Sequence, residues 1–212
     1  MVVEVQAGLG KERAVVTSVT VAADKRTETE EAILAAARDC FMERGVGGTT
    51  MVAVARRAGV SRPTVYSYFG SVDNLARKVL TREIVGLLDA AYPLPQDAEG
   101  LCEALVAVAR HARRNDFLSQ MLGKSPELLL TYQFQRFGES QEILVRFIKN
   151  VVARVQQADP AMRRGEPKVI ATQIFMVVQS LVLSAEAMSA GVPSEEVWAS
   201  ELAAMLKGYV CQ

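Results

Sequence analysis

The chain has 212 residues, of which half are hydrophobic and only 6% aromatic, and its 24 basic and 24 acidic residues give a formal net charge of zero. This length accommodates one or two domains with a sizeable core, and the balanced charge excludes a generic polycation. Three widely spaced cysteines and a single histidine exclude a disulfide framework and a zinc cluster. We therefore expect reduced thiols, a cytoplasmic location, and neither a metal nor a cofactor.

We expect no signal peptide and no membrane span. The N-terminus lacks a positive start followed by an apolar core. The longest uncharged run, residues 169–185, has 17 residues and includes two glutamines, whereas a transmembrane helix needs about 20 predominantly apolar residues. We interpret this run as a helix that is buried or lies at an interface.

Residues 1–26 are predicted to be a flexible extension. A β-branched stretch over residues 14–21 favours a strand, but no pairing partner is apparent in the sequence. The alternative is a basic arm that enters a DNA groove, as in some helix-turn-helix proteins. Its basic residues are Lys11, Arg13, Lys25 and Arg26.

The first predicted helix spans about residues 29–44. Ile33, Ala37 and Phe41 recur at helical spacing and form an apolar stripe. Thr27 or Thr29 is the expected N-cap, and a glycine follows the last turn, where helices commonly end.

Residues 50–68 carry the pattern of a helix-turn-helix. Thr49 or Thr50 caps a helix over about residues 50–57. Ser61 caps a second helix, over about 61–67, with a proline in its first turn. Gly59 lies between them, where the backbone needs a left-handed or similar conformation.

The positive charge of the chain is concentrated around this motif. Residues 44–80 hold six basic residues and one acidic residue, a net charge of +5 that the rest of the chain balances. A local basic patch on a neutral protein suits a nucleic-acid surface. We therefore predict that the second helix of the motif enters a DNA major groove.

The remaining chain is predicted to be helical as well. A fourth helix begins after Ser71 and runs to about residue 90, where two prolines stop it. The later helices are predicted over about 97–114, 115–122 (ending at Gly123), 125–159 with a possible division at Gly138, 167–190 and 194–209. The predicted fold class is therefore all-α, with an N-terminal three-helix helix-turn-helix domain followed by a larger helical domain.

The chain resembles the tetracycline-repressor (TetR) family of bacterial regulators. The resemblance rests on I-L-A-A-A-R-D-C-F-M-E-R-G over residues 33–45 and on T-T-M-V-A-V-A-R-R-A-G-V-S-R-P-T-V-Y-S-Y-F-G-S over residues 49–71. The predicted organisation is an extension over residues 1–26, a DNA-binding domain over 27–75 and, by resemblance, an effector-binding and dimerisation domain over 76–212.

One position departs from the family pattern. After F-x-S the family usually has a lysine that holds a phosphate, and here Val72 stands in its place. We expect this to weaken DNA binding without changing its mode. The Ser71 hydroxyl and the helix N-terminus still face a phosphate in the expected arrangement.

The candidate DNA-contacting residues lie on the second, third and fourth helices. Arg62 offers a fork of donors to guanine or to a phosphate, and by resemblance Tyr66 directs its phenol to the DNA backbone. The alternative for the tyrosines is a role in the core of the small domain, and for the arginines it is plain solvation. The candidates are Thr50, Arg56, Arg57, Ser61, Arg62, Pro63, Thr64, Tyr66, Ser67, Tyr68 and Ser71.

The resemblance also implies a small hydrophobic or amphipathic effector in the C-terminal domain. Methionine and aromatic side chains suit an adaptable apolar pocket. The candidate residues are Phe117, Met121, Tyr132, Phe134, Phe137, Gln173, Phe175 and Met176, with Gln179, Arg113, Arg114 and Arg136 as possible partners for a polar headgroup. The alternative is that the apolar residues are plain helical core and the polar ones are solvated surface.

Helices 167–190 and 194–209 are predicted to form a homodimer interface. Their apolar stripe is too wide for one partner helix and needs another surface to cover it. By resemblance, the two helices and their copies form a four-helix bundle across a two-fold axis. The alternative is burial of both helices within one subunit.

The function predicted from these features is that of a transcriptional repressor. A dimer would read a palindromic operator, and an effector would move the fourth helix. The alternative has the same fold but acts as a ligand-independent or partner-controlled DNA-binding protein. An enzyme is not expected, because the sequence has no glycine-rich phosphate loop and no pairing of a nucleophile with a base.

Overall fold

The computed structural model describes residues 26–124, 139–185, 191 and 194–211. The regular structure of these residues is helical, apart from one isolated antiparallel bridge between Met162 and Cys211. The predicted all-α class is therefore confirmed. The chain divides into two compact units, Met1–Val79 and Leu80–Gln212.

The first unit is a three-helix domain into which a fourth helix runs. Its elements are α1 over residues 26–44, α2 (Met51–Ala58), α3 (Arg62–Phe69) and the first half of α4 (Val72–Gly86). The predicted stripe of α1, with Ile33, Ala37 and Phe41, is fully or almost fully buried, and so are Val54 and Val65 of the two short helices. This core fixes which faces of α2 and α3 remain outside.

The turn between α2 and α3 has the predicted geometry. Gly59 ends α2 with φ 68° and ψ 24°, in the left-handed region. The Val60 amide donates to the Ala55 carbonyl at 3.1 Å, which satisfies one of the last carbonyls of α2. Ser61 caps α3, and a proline occupies its first turn, as predicted.

The two alternatives for the cap of α2 are distinguished by their hydrogen bonds. The Thr50 hydroxyl oxygen accepts from the Ala53 amide at 3.2 Å and is the cap. Thr49 is buried, and its hydroxyl donates to the carbonyls of Gly45 at 2.8 Å and Cys40 at 3.2 Å. Thr49 therefore holds the α1–α2 turn against α1.

The prediction for the start of α1 is wrong. The chain is already helical at residue 26, so Thr27 and Thr29 lie inside the helix and neither is its N-cap. Two of the residues that extend it, Arg26 and Glu28, are good helix formers, and their propensity outweighs that of the threonines.

The second unit is a bundle built around one central helix. Its elements are the second half of α4, a 3₁₀ turn (Leu87–Ala91), α5 (Ala98–Arg113), α6 (Asp116–Lys124), α7 (Glu139–Ala158), α8 (Pro167–Ser184) and α9 (Glu195–Val210). Helix α5 packs against the 3₁₀ turn and against α6, α7, α8 and α9. Its buried Leu101, Leu105 and Ala109 belong to the main hydrophobic core.

Several predicted helix ends in this unit need correction. The fourth helix gives way to the 3₁₀ turn after Gly86, and α6 continues through Gly123 to Lys124. The Lys124 ammonium donates to Gln120 one turn earlier at 3.2 Å, an i,i+4 contact that extends the helix. The predicted start at Ser125 and the division at Gly138 fall outside the described residues.

A carboxylate joins the end of α7 to the start of α5. Asp159 accepts from the Ala98 amide at 2.8 Å and from the Ala161 amide at 2.9 Å. These backbone hydrogen bonds, the Ala98 bond first, hold the pKa of Asp159 below its usual value. The Arg154 guanidinium also donates to the Pro95 carbonyl at 2.6 Å, so two polar contacts orient α5 against α7.

Helix α8 is apolar on most of its surface, although little of it is buried within the chain. The 18 residues of α8 have a mean hydropathy of 1.4, and only 22% of them are buried within the chain. Length and composition alone make it a candidate membrane span, the one such helix in the described residues. A single helix of this kind is a weak indication of a membrane protein, because the core and interface helices of soluble proteins have the same composition.

Candidate functional site

Hydroxyl residues cap the helices of the first unit that carry the predicted DNA contacts. Each hydroxyl oxygen accepts from a backbone amide at 3.2 Å, and the residues themselves are exposed. A hydroxyl that accepts in this way keeps its own proton for another acceptor. Together with the positive end of the helix, this arrangement suits a phosphate oxygen. The three caps are Thr50 of α2, Ser61 of α3 and Ser71 of α4.

Helix α3 has one buried and one exposed face. Val65 and Phe69 are 0% and 4% exposed and anchor the helix in the core. Arg62, Pro63 and Ser67 lie in the exposed part, together with Tyr66, whose side chain is 42% exposed. The Arg62 guanidinium carbon lies 5.4 Å from the centre of the Tyr66 ring, a cation–π distance that holds both on the same face.

Two of the predicted α3 residues have partners inside the first unit. The Thr64 and Ser61 hydroxyl oxygens are 2.7 Å apart and share a hydrogen bond. The Tyr68 hydroxyl donates to the Arg26 carbonyl at 3.3 Å, and the Arg26 guanidinium lies 5.7 Å from the Tyr68 ring centre. Tyr68 therefore connects α3 to the start of α1, and it contributes to the domain as well as to its surface.

The two adjacent arginines of α2 differ in their surroundings. Both are exposed, but Arg57 forms an ion pair with Glu43 of α1. Through this hydrogen bond the carboxylate raises the pKa of Arg57, and the guanidinium lowers the pKa of Glu43. A carboxylate thus offsets the charge of Arg57, which makes Arg56 the stronger of the two candidates for a phosphate contact.

A separate cavity of about 480 Å³ lies within the second unit. This volume falls within the range of small-molecule sites. On α5 the lining residues recur at helical spacing from Leu101 to Arg113, and the other walls come from α4, the 3₁₀ turn and α6 to α8. Most of the walls are aliphatic or aromatic, as an apolar ligand requires. The polar lining residues are Arg113, Ser119, Ser140, Gln141 and Gln179.

The predicted effector residues relate to this cavity in different ways. Phe175 lines it, whereas Phe117 and Met121 are buried elsewhere in the unit. Gln173 and Met176 are exposed residues of α8 and are not in the lining. Tyr132, Phe134 and Phe137 lie outside the described residues.

Most of the cavity wall was not predicted from the sequence. The largest unpredicted contribution is the α5 stripe, which includes Leu101, Leu105 and Val108, and the second is the stretch from Ile84 to Ala91. The i,i+3,i+4 spacing of the α5 residues predicts a buried face. It does not distinguish a filled core from the wall of a cavity.

Comparison with known proteins identifies the family. The model described as "Bacterial regulatory proteins, tetR family" matches residues 33–79. An uncharacterized HTH-type transcriptional regulator of Mycobacterium bovis is 34% identical over 188 residues, which cover 88% of this chain and 96% of that protein. The chain belongs to the TetR family. The protein is therefore a DNA-binding transcriptional regulator and not an enzyme, as predicted.

Two further proteins are similar to this chain in sequence or in fold. The HTH-type transcriptional repressor AcnR of Corynebacterium glutamicum is 32% identical over 137 residues, which cover 61% of this chain and 70% of AcnR. The SmeT–triclosan complex has a TM-score of 0.57 at 18% identity and covers 87% of this chain and 92% of SmeT. At that identity the likeness to SmeT concerns the fold alone. Repressors thus occur among the relatives of this TetR-family chain.

Proposed function

We propose that this TetR-family protein is a cytoplasmic repressor that binds a palindromic operator as a homodimer and is released by a small hydrophobic effector. The observation that carries the proposal is the course of α4. This helix begins in the first unit, and its residue Ile84 lines the apolar cavity of the second. In the proposal, residues 27–75 are the DNA-binding domain and residues 76–212 bind the effector and dimerise.

In the proposed complex, the exposed face of α3 enters the major groove. Arg62 donates to a guanine edge and Tyr66 to the DNA backbone, with Pro63, Thr64 and Ser67 alongside. Around them, the caps Thr50, Ser61 and Ser71 contact phosphates together with Arg56, while Arg57 contributes less because of Glu43. Tyr68 supports the helix from the side of α1.

The proposed dimer forms through α8 and α9. Apolar side chains of both helices are exposed in the single chain, which suggests a surface that a partner covers. They are Val169, Met176, Val177, Val197 and Met205, with exposed fractions between 37% and 57%. Gln173 belongs to the same exposed side of α8, so in this proposal Gln173 and Met176 serve the interface and not the effector.

The proposed effector acts by shifting a population between two states. A ligand that prefers one arrangement of the cavity wall changes the position of α4 and thereby the separation of the two reading helices. The ligand must bind the released state more tightly, because equal affinity for both states shifts nothing. The structurally similar SmeT has been solved with triclosan, a small hydrophobic molecule, which is consistent with an effector of this kind.

Selection of bound duplexes from a random pool tests the DNA-binding half of the proposal. The full chain should enrich a two-fold symmetric motif with two identical half-sites. Arg62→Ala should relax the preference at one position in each half-site, because it removes a bidentate contact. Enrichment of a single asymmetric half-site, or of no motif, would rule out the palindromic dimer.

A further inference from the structure

We propose that the effector is an amphiphile whose anionic headgroup binds Arg113 and whose apolar chain lies along α5. This inference rests on the proposed function of the cavity as an effector site. The juxtaposition that supports it is a guanidinium at the wall of an otherwise apolar cavity.

The first feature is the charge of the lining. Among the described residues that line the cavity, Arg113 is the one charged residue, and no carboxylate is present to balance it. A positive charge beside apolar walls is poorly solvated and attracts a negative group strongly. A neutral ligand would leave this charge uncompensated.

The second feature is the hydrogen bonding of the guanidinium. The Nη1 atom of Arg113 is buried and has no hydrogen-bond partner within the described part of the chain. The guanidinium carbon lies 4.4 Å from the ring centre of Trp198, so the group is held by stacking on α9. Stacking fixes the plane of the guanidinium but supplies no hydrogen-bond acceptor. A carboxylate would supply that acceptor.

The third feature is a contrast with the next residue. Arg114 lies outside the cavity lining and has its own carboxylate partner, with Nε 3.0 Å from Glu195 Oε1. Glu195 and Trp198 both belong to α9, so this helix offers a carboxylate to one arginine and an aromatic ring to the other. The protein thus neutralises Arg114 and leaves Arg113 for an external anion.

The fourth feature is the shape of the apolar wall. The lining residues of α5 run from Leu101 to Arg113, which at about 1.5 Å per residue is roughly 18 Å of helix. Arg113 is the last of them, and Leu101, Leu105 and Val108 precede it. A ligand with its anionic end at Arg113 has an extended apolar surface for its chain, which favours an alkyl or similarly elongated body.

Decanoate and decan-1-ol distinguish an anionic effector from a neutral one, because both have an unbranched alkyl chain of the same length and they differ only in the headgroup. Trp198 is the single tryptophan of the protein, so its fluorescence reports binding at Arg113, and calorimetry measures the affinity. The wild-type full chain should bind decanoate at least tenfold more tightly than decan-1-ol. Equal affinities, tighter binding of the alcohol, or no binding of either would overturn the assignment.

Two substitutions of adjacent arginines locate the preference. Arg113→Gln should bind the two probes with equal affinity, whereas the matched control Arg114→Gln should keep the wild-type preference. Arg113→Lys keeps the charge and should retain part of the preference, which separates the role of the charge from a folding defect. Loss of the preference in Arg114→Gln to the same degree as in Arg113→Gln would contradict the role of Arg113.

A parallel titration of operator DNA separates this inference from the proposed function. If decanoate binds with the expected preference and also weakens DNA binding, the anion site at Arg113 and the release mechanism are both supported. If it binds with that preference but leaves DNA affinity unchanged, the anion site stands and the release mechanism is wrong. If DNA binding is normal and decan-1-ol binds as tightly as decanoate, the repressor stands and the anion site is wrong.

Discussion

Gly59 provides the backbone conformation that sets the direction of α3, the helix that we propose reads the DNA. Its φ of 68° lies in the left-handed region, and a Cβ at this position would meet no atom within 4 Å. Gly59→Ala should therefore lower the free energy of unfolding by about 1–2 kcal/mol through backbone strain alone. Chemical denaturation measures the loss.

Gly47→Ala is the matched control for that substitution. A Cβ at Gly47 also meets open space, and Gly47 is not among the glycines with positive φ. We expect Gly47→Ala to leave the stability unchanged or slightly raised. Equal losses in the two variants would show that the left-handed turn is not what Gly59 provides.

Glu43 offsets the positive charge of Arg57, a residue of the proposed DNA-binding surface, through their ion pair. Glu43→Gln should raise the affinity for DNA and steepen the slope of log affinity against log salt by up to about one, because Arg57 becomes available to a phosphate. Glu99→Gln, which breaks the exposed pair with Lys207 in the second unit, is the control and should leave DNA affinity unchanged. A weaker or unaltered affinity in Glu43→Gln would contradict this role.

Asp159 couples α7 to α5 in a pH-dependent way. Its pKa is lowered in the folded protein by the amides of Ala98 and Ala161, so its contribution to stability is present above its unfolded pKa and is lost as the pH falls through the folded value. Thermal unfolding of wild type and Asp159→Asn between pH 6 and 3 should show a smaller decrease in Tm for the variant. Parallel decreases in the two proteins would mean that these hydrogen bonds do not favour the carboxylate.

The helix-turn-helix was predictable because its signals are local. Ser61, the proline after it and Gly59 each specify a backbone conformation within a few residues, and the structure has all three where the pattern indicated. The end of α6 was not predictable in the same way. The prediction ended the helix at Gly123, but glycine is tolerated within a helix at a modest cost, and here Gly123 lies within the helix.

The cavity was less predictable because it depends on how separate helices pack. Gln173 and Gln179 look equivalent in the sequence of α8, yet Gln179 lines the cavity and Gln173 is exposed. The helix is apolar on most of its surface, so periodicity does not select the face that meets α5 and α7. Phe117 of α6 and Phe175 of α8 were both candidates from the sequence, and of the two only Phe175 lines the cavity.

The proposed dimer determines how much DNA the protein reads. Met205 of α9 is 52% exposed in the single chain, and Met205→Glu would place a charge in the proposed interface. Light scattering should give the wild type about twice the chain mass of 23.1 kDa and the variant the mass of one chain. Met205→Leu keeps the apolar surface and should remain dimeric. A monomeric wild type, or a dimeric Met205→Glu, would exclude this interface.

The most direct test of whether the exposed face of α3 reads DNA is a comparison of wild type with Arg62→Ala. The affinity of each full chain for the selected duplex is measured as a function of salt concentration. We predict that wild-type affinity falls steeply with salt, since phosphate contacts release counterions. Arg62→Ala should bind the selected duplex about 1–3 kcal/mol more weakly per reading helix, with little change in its affinity for unrelated duplexes. If Arg62→Ala bound both kinds of duplex as the wild type does, the exposed face of α3 would not be the reading surface.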